Sequence, residues 1–244
     1  MGFLDYIRSF FGGNSTAAKA ARIERDNGRK DKEHNTVVTS TGYPMEIDIN
    51  RVVTIDQLTL DILKGKTNFL IPGLNEQQVS AIGTIELGQG ISLYRIYLDD
   101  GDTWIQFACS GGVTKDSIDD VGVFSYNKAE TPTSEYELAR LAGPNSALGL
   151  PKYSFEGAEY QREWGSEEGQ TELSAYTELV RNESGEQYYV EHRAMLYSRP
   201  IENTQRNELL LISVEECESE NDQKDITVTM SVGVTLQTSD LSIH

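Results

Sequence analysis

With only two cysteines and three histidines in 244 residues, several classes of protein are closed off at once. Cys109 and Cys217 lie far apart and outside any C-x-x-C spacing, so there is no disulfide framework and no thiol motif for zinc or redox work. That usage fits a reducing compartment, although one disulfide between the pair stays open. His34 falls in a polar segment and His244 is the last residue, leaving His192 as the one imidazole on a regular element. No apolar run approaches the roughly 18 residues of a membrane span, and the N-terminus lacks a basic stretch followed by an apolar one. Positive charge is scarce as well: 21 Lys/Arg face 39 Asp/Glu, for a net charge of −18. Residues 1–36 hold seven Lys/Arg against five Asp/Glu, so the remaining 208 residues carry −20. A body this acidic is repelled by nucleic acid and by broad anionic membrane surfaces. The expectation is a cytoplasmic protein that binds no nucleic acid.

What the sequence does contain starts at its first residues. Phe3, Leu4, Ile7, Phe10 and Phe11 fall on one helical stripe, Asp5, Arg8 and Ser9 take the other face, and Gly12 and Gly13 stop the helix. A helix of about ten residues is marginal alone in water, so it needs a surface to lie on. The chain's own body, a partner protein and the membrane interface are all open as that surface. Residues 14–36 read as a polar linker or frayed helix with a flexible reach of roughly 25 Å, which favours a target outside the body.

Residues 37–244 read as a single β-rich domain with two or three short helices. A Thr54-x-x-Gln57 capping box, a Val53/Leu58 staple and Gly65 predict a helix over 55–64 with Leu58, Ile62 and Leu63 on its apolar face. Ser134 and Glu137 open a second helix, closed by Gly143 and Pro144. Thr84–Leu87, Ile91–Leu98 and Thr103–Ala108 predict a meander, and Glu172–Arg181 with Gln187–Tyr197 a hairpin around Asn182-Glu183-Ser184-Gly185. Ile226, Val228, Met230, Val232, Val234 and Leu236 alternate strictly with small polar residues, which predicts one face buried and the other in water. Residues 143–171 carry seven Gly/Pro and read as a connection between two packed β sub-layers. The resulting fold class is α+β, mostly antiparallel β, preceded by the N-terminal amphipathic helix and its linker.

No segment carries a catalytic signature. Cys109 precedes Ser110-Gly111-Gly112 and could act as a nucleophile only with His192 as its base; the simpler reading is a small buried hydrophobe. Asp99, Asp100 and Asp102, then Asp116, Asp119 and Asp120, supply oxygen ligands but fit no calcium loop, and the run from Glu215 to Asp222 reads as a solvated connector. Neither a metal nor a cofactor is expected. G-x-S-x-G and H-E-x-x-H are absent, and Gly88-Gln89-Gly90 links two strands without opening a helix, so it is no phosphate loop. Tyr153, Phe155, Tyr160, Arg162 and Trp164 cluster in the Gly/Pro-rich stretch, with the composition of a binding surface or of a cap on the core.

Leu93-Tyr94-Arg95-Ile96-Tyr97-Leu98-Asp99-Asp100 with Trp104-Ile105-Gln106, and Glu191 to Arg199 ahead of Glu208-Leu209-Leu210-Leu211, resemble the YjfK-like family of uncharacterised bacterial proteins. The resemblance brings no reaction and no site residues. It implies company: members are typically encoded near a phage-shock-protein-A-like membrane-remodelling protein, a small integral membrane protein and an ATP-grasp ligase. The expected function is therefore a non-enzymatic accessory or adaptor of an envelope-associated system. Its acidic body binds a protein partner, and its N-terminal helix docks on a membrane, at the inner face, or on a membrane-associated assembly. An enzyme or small-ligand binder using Cys109 with His192 or an acidic cluster is the alternative, as is a substrate or adaptor of the ligase.

Overall fold

The computed structural model describes residues 42–165, 168–218 and 224–244. The expected helix of Phe3, Leu4, Ile7, Phe10 and Phe11, and the linker after it, lie outside the described residues.

Twelve strands and two α-helices make up the described body. In chain order they are β1 (Val52–Ile55), α1 (Gln57–Leu63), β2 (Glu76–Gly88), β3 (Ile91–Leu98), β4 (Thr103–Ser110), β5 (Ile118–Glu130), α2 (Glu135–Ala142), β6 (Lys152–Phe155) and β7 (Ala158–Arg162). They continue with β8 (Ser174–Asn182), β9 (Gln187–Pro200), β10 (Asn207–Glu218), β11 (Lys224–Leu236) and β12 (Leu241–Ile243). β2 to β5 run as a meander, β5 pairs with β11, and β11, β10, β9 and β8 follow in turn. β8 then returns to pair with β2, Ala81 to Thr84 facing Asn182 to Leu179. Every pairing is antiparallel, and the eight strands close on themselves. β12 and β1 continue from the start of β2, while the β6–β7 hairpin attaches to β9; these four stay outside the ring.

This closure corrects the α+β expectation: the body is an antiparallel β-barrel of eight strands with four more outside it, and its two helices are peripheral. The two runs of strands on either side of residues 143–171 supply the two halves of one ring, and those residues carry the β6–β7 hairpin. Closure removes the unpaired edges that two open layers would have carried. Gly83 shows what closure demands locally, because a Cβ there would stand 1.7 Å from Oε1 of Glu178 on β8. Only a residue without a side chain lets that carboxylate lie across β2.

Most of the wall is buried on both faces, the outward Tyr189 and Arg193 of β9 being exposed. Cross-strand partners share a face, and the register places Gly83, Arg95, Gln106 and Gly122 together. That face is the interior: Tyr126 on β5 feels the carboxylate of Glu178 on β8, the strand diametrically opposite in the ring. On β11 the small residues Thr229, Ser231 and Gly233 are also buried, so the polar side of its alternation faces the barrel lumen instead of water. Gly233 is needed because a Cβ would meet the Phe124 ring at 2.4 Å.

The outward apolar face of the wall is coated by flanking segments. Tyr43 packs edge-on to Tyr94 and lies under Arg181, which pairs with Asp48 at 2.6 Å. The segment after α1 is pinned through Glu208, fully buried, which accepts from Asn68 N at 2.5 Å and from the Tyr160 hydroxyl at 3.2 Å and pairs with Arg199. Leu70 N donates to Ser125 Oγ at 3.0 Å, and Asn127 Nδ2 to Asn68 O at 2.9 Å, fixing the same segment farther along.

Both helices form near their expected places, with shifted caps. Thr54 is drawn into β1 between β12 and β2, and its hydroxyl makes no hydrogen bond. Asp56 caps α1 instead, accepting from Thr59 N at 3.0 Å. The helix rotates accordingly: Thr59, Leu60 and Leu63 are buried, whereas Leu58 and Ile62 are exposed. Ser134 caps α2 as expected, while the Glu137 side chain reaches back to Thr133 N at 2.7 Å, one residue short of a capping box. No helix among the described residues is long and apolar enough to cross a membrane.

Candidate functional site

The lumen holds a charged network that alternation on β3, β8 and β9 points inward. Arg95 Nη1 donates to Glu178 Oε2 at 2.7 Å, Nη2 to the Tyr176 hydroxyl at 2.9 Å, and Nε to Gln106 Oε1 at 3.2 Å. Its guanidinium also lies over the Trp104 ring, 4.8 Å from the centroid, and Trp104 stacks on Phe124 at 4.2 Å. Glu178 takes a second donor, the Tyr97 hydroxyl, at 2.8 Å. His192 stacks on Tyr176, shares a 3.0 Å hydrogen bond between Nδ1 and Ser213 Oγ, and brings Nε2 to 3.0 Å from Glu178 Oε2 without the alignment of a hydrogen bond. Glu215 accepts from Thr229 Oγ1 at 2.7 Å, and its Oε1 is 4.0 Å from His192 Nδ1.

Burying a carboxylate disfavours its charge, but Arg95, with His192 and Tyr97, outweighs the burial at Glu178 and holds its carboxyl down to about 2. Burial, followed by the influence of Glu178, drives the Tyr97 phenol far up, so it stays a donor. Arg95 also stays charged: burial works against it, and Tyr176 and Glu178 prevail. Chemically this is a pair of opposite charges with satisfied ligands, rigid and pre-organised, with no nucleophile within it.

Above the network the barrel opens into a cavity of about 310 Å³. Tyr97, Tyr126, Glu178 and His192 line it, with Glu215 and, toward the mouth, Tyr188. The β3–β4 turn forms part of the rim: Asp100 accepts from Thr103 N at 2.8 Å and from Asp102 N at 3.1 Å, so this acidic group serves its own turn.

Of the residues singled out from the sequence, His192 and Glu215 belong to this site and the others fall elsewhere. Cys109 pairs with Ser92 on the outer side of the wall that carries Tyr94 and Phe107, and His192 faces the lumen, so the two are not brought together. Burial, with Asp119 nearby, pushes the Cys109 thiol up to about 12. Among the described residues no three His, Cys, Asp or Glu side chains are grouped to hold a metal ion. Tyr160 is fully buried, Phe155 and Trp164 are buried, and Tyr153 is half-buried against Tyr197. Arg162 gathers the carbonyls of Gly149, Gly169 at 2.9 Å and Gly165 at 3.1 Å, tying the 143–171 stretch to β7. Arg95, Glu178 and Tyr176 were missed. The available signal was a charge at the centre of an otherwise apolar, aromatic strand, as in Leu93-Tyr94-Arg95-Ile96-Tyr97.

An eight-stranded antiparallel barrel has an interior wide enough for side chains or one small ligand, and here a paired ionic core occupies it below an open-ended cavity. Residues 22–242 match the family described as protein of unknown function (DUF2491), and the chain belongs to that family. It is 29% identical over 202 residues, 82% of its own length and 90% of the relative's, to the uncharacterized protein YjfK of Escherichia coli (strain K12). No solved structure matches the chain.

Proposed function

We propose that this protein is a non-enzymatic accessory of a bacterial envelope-associated system, in which the acidic barrel binds a protein partner and the N-terminal segment docks at the inner membrane face or on a membrane-associated assembly. One observation carries the non-catalytic part: the lumen's reactive groups are spent on each other, since Arg95, Tyr97 and His192 all converge on Glu178. Cys109, the alternative nucleophile, has its thiol pushed up to about 12 and faces away from His192. A partner-binding role gains support from large apolar side chains left in solvent on α1 and the segment after it, Leu58, Ile62, Leu70 and Leu74. A phage-shock-protein-A-like membrane-remodelling protein is the partner that the family resemblance favours.

Docking draws its support from the sequence of Phe3, Leu4, Ile7, Phe10 and Phe11. Full burial of each such side chain contributes roughly 1.5–3 kcal/mol, enough for reversible attachment after ordering costs. The test is flotation with vesicles of Escherichia coli lipid, with and without the membrane-remodelling protein. Full-length protein should float in at least one arm, and the Ile7→Glu/Phe10→Glu variant should stay at the bottom in both. Equal flotation of the two proteins would remove the docking role from that stripe.

A further inference from the structure

The cavity at the open end of the barrel has a one-sided chemistry that the accessory reading does not use. Its lining includes two carboxylates, Glu178 and Glu215, and contains no lysine or arginine. Glu178 is neutralised from below by Arg95, which does not reach the cavity wall. Glu215 has no such counterion; its contacts are the Thr229 hydroxyl at 2.7 Å and the His192 ring at 4.0 Å, and its side chain is 22% exposed. Three tyrosines, Tyr97, Tyr126 and Tyr188, share the lining with them. His192, buried in the same lining, is held between Ser213 at 3.0 Å and Glu178 at 3.0 Å, so Glu215 is the carboxylate of the lining without a cationic partner.

Each class of ligand meets this lining differently. An anion faces the uncompensated Glu215 and finds no lysine or arginine in the lining. An apolar molecule strips water from Glu215 and returns nothing, which is costly. A small organic cation gains a carboxylate and, from tyrosine rings, the quadrupole attraction that recognises ammonium groups. A body carrying −20 outside its first 36 residues concentrates cations near its openings. The volume, about 310 Å³, sits at the small end of ligand cavities and suits a compact amine better than a large one.

We propose that this cavity is a binding site for a small organic cation, an amine or a quaternary ammonium, held by Glu215 among Tyr97, Tyr126 and Tyr188. The site is independent of where the N-terminal segment docks, so failure of either idea leaves the other standing.

The experiment is calorimetric titration of the full-length protein with choline and with 3,3-dimethyl-1-butanol, its neutral isostere, at low ionic strength. Putrescine and tetramethylammonium extend the cation series, and succinate serves as the anion. At least one cation should bind saturably at one site, with the neutral alcohol and the anion weaker than choline or putrescine by about tenfold or more. Glu215→Gln, which keeps the volume and an acceptor for Thr229, should weaken the cation by about tenfold. Should that variant fold poorly, Tyr188→Ala gives the second reading, because Tyr188 is 47% exposed at the mouth and its removal spares the core. It too should weaken the cation. The proposal is overturned by equal binding of choline and its neutral isostere, by unchanged affinity in both variants, or by no saturable heat from any of the three cations up to about 10 mM.

Discussion

Replacing Arg95 by Gln strips the fully buried Glu178 of its counterion while leaving the Tyr97 hydrogen bond at 2.8 Å and His192 at 3.0 Å. Removing one member of a buried ion pair costs about 3–5 kcal/mol, because the surviving charge is stranded in low dielectric. Glu178 has an escape, since it can take up a proton. Neutralising an ordinary glutamate at pH 7 costs about 3.7 kcal/mol, so the penalty saturates near that figure plus the lost bond to Tyr176, about 1 kcal/mol more. The escape becomes easier in acid, and the Arg95→Gln penalty should shrink by roughly 2–3 kcal/mol between pH 7 and pH 5. Arg95→Gln/Glu178→Gln, which carries neither charge, should be more stable at pH 7 than Arg95→Gln alone. Urea unfolding followed by circular dichroism measures all three, with the slope against urea checked for constancy. A penalty below about 1 kcal/mol at pH 7, or one equally large at pH 5, would refute the stranded-charge reasoning.

Other expectations follow from the same geometry. Glu178 has its pKa depressed to about 2 from 4.5, so the stability it contributes is complete above about pH 4.5 and fades as pH falls toward 2; acid titration of Glu178→Gln should lack that segment of the wild-type curve. Gly83→Ala forces a Cβ to within 1.7 Å of the Glu178 carboxylate, and overpacking of this kind should lower unfolding free energy by about 1–3 kcal/mol or more, with Gly83→Ala/Glu178→Ala not adding the two single effects. Cys109, with its thiol pushed up to about 12 and buried, should react with iodoacetamide at pH 8 far more slowly than free cysteine, and mass spectrometry of the peptide that carries it gives the rate.

How far the fold was legible depends on the range of the contacts that make it. Local pairings were readable: the turn residues Asp99 to Asp102 and Asn182 to Gly185 mark hairpins, and both occur, with Asn182 Oδ1 accepting from Ser184 N at 3.1 Å and Glu186 N at 3.0 Å. The pairing that turns a sheet into a barrel joins Ala81–Thr84 to residues about a hundred positions later, and no local signal announces it. The part of β2 before Thr84 was also hidden, because Glu76, Gln77, Gln78 and Gly83 have poor strand propensity; they are strand here because β1, β3 and β8 hold them. Alternation along β11 was plain, but the side chosen for water was wrong. A barrel with flanking segments outside buries both faces of its wall, and period-2 patterning cannot tell a polar lumen from solvent. The aromatic cluster of Tyr153, Phe155, Tyr160 and Trp164 had the composition of a contact surface, yet hairpin pairing turns Tyr160 inward to Glu208. For the ionic network, Arg95 and Glu178 are 83 positions apart, so their partnership exists only once β2 and β8 have met.

The claim on which the docking proposal depends is that the barrel folds without the first thirteen residues and that their apolar stripe serves something other than its core. Comparing the urea midpoint of the full-length protein with that of a chain lacking residues 2–13 tests this most directly. Coincident unfolding curves, with equal midpoints and slopes, are expected. A lower midpoint that corresponds to several kcal/mol of lost unfolding free energy, as expected when Phe3, Leu4, Ile7, Phe10 and Phe11 leave a core, would contradict it.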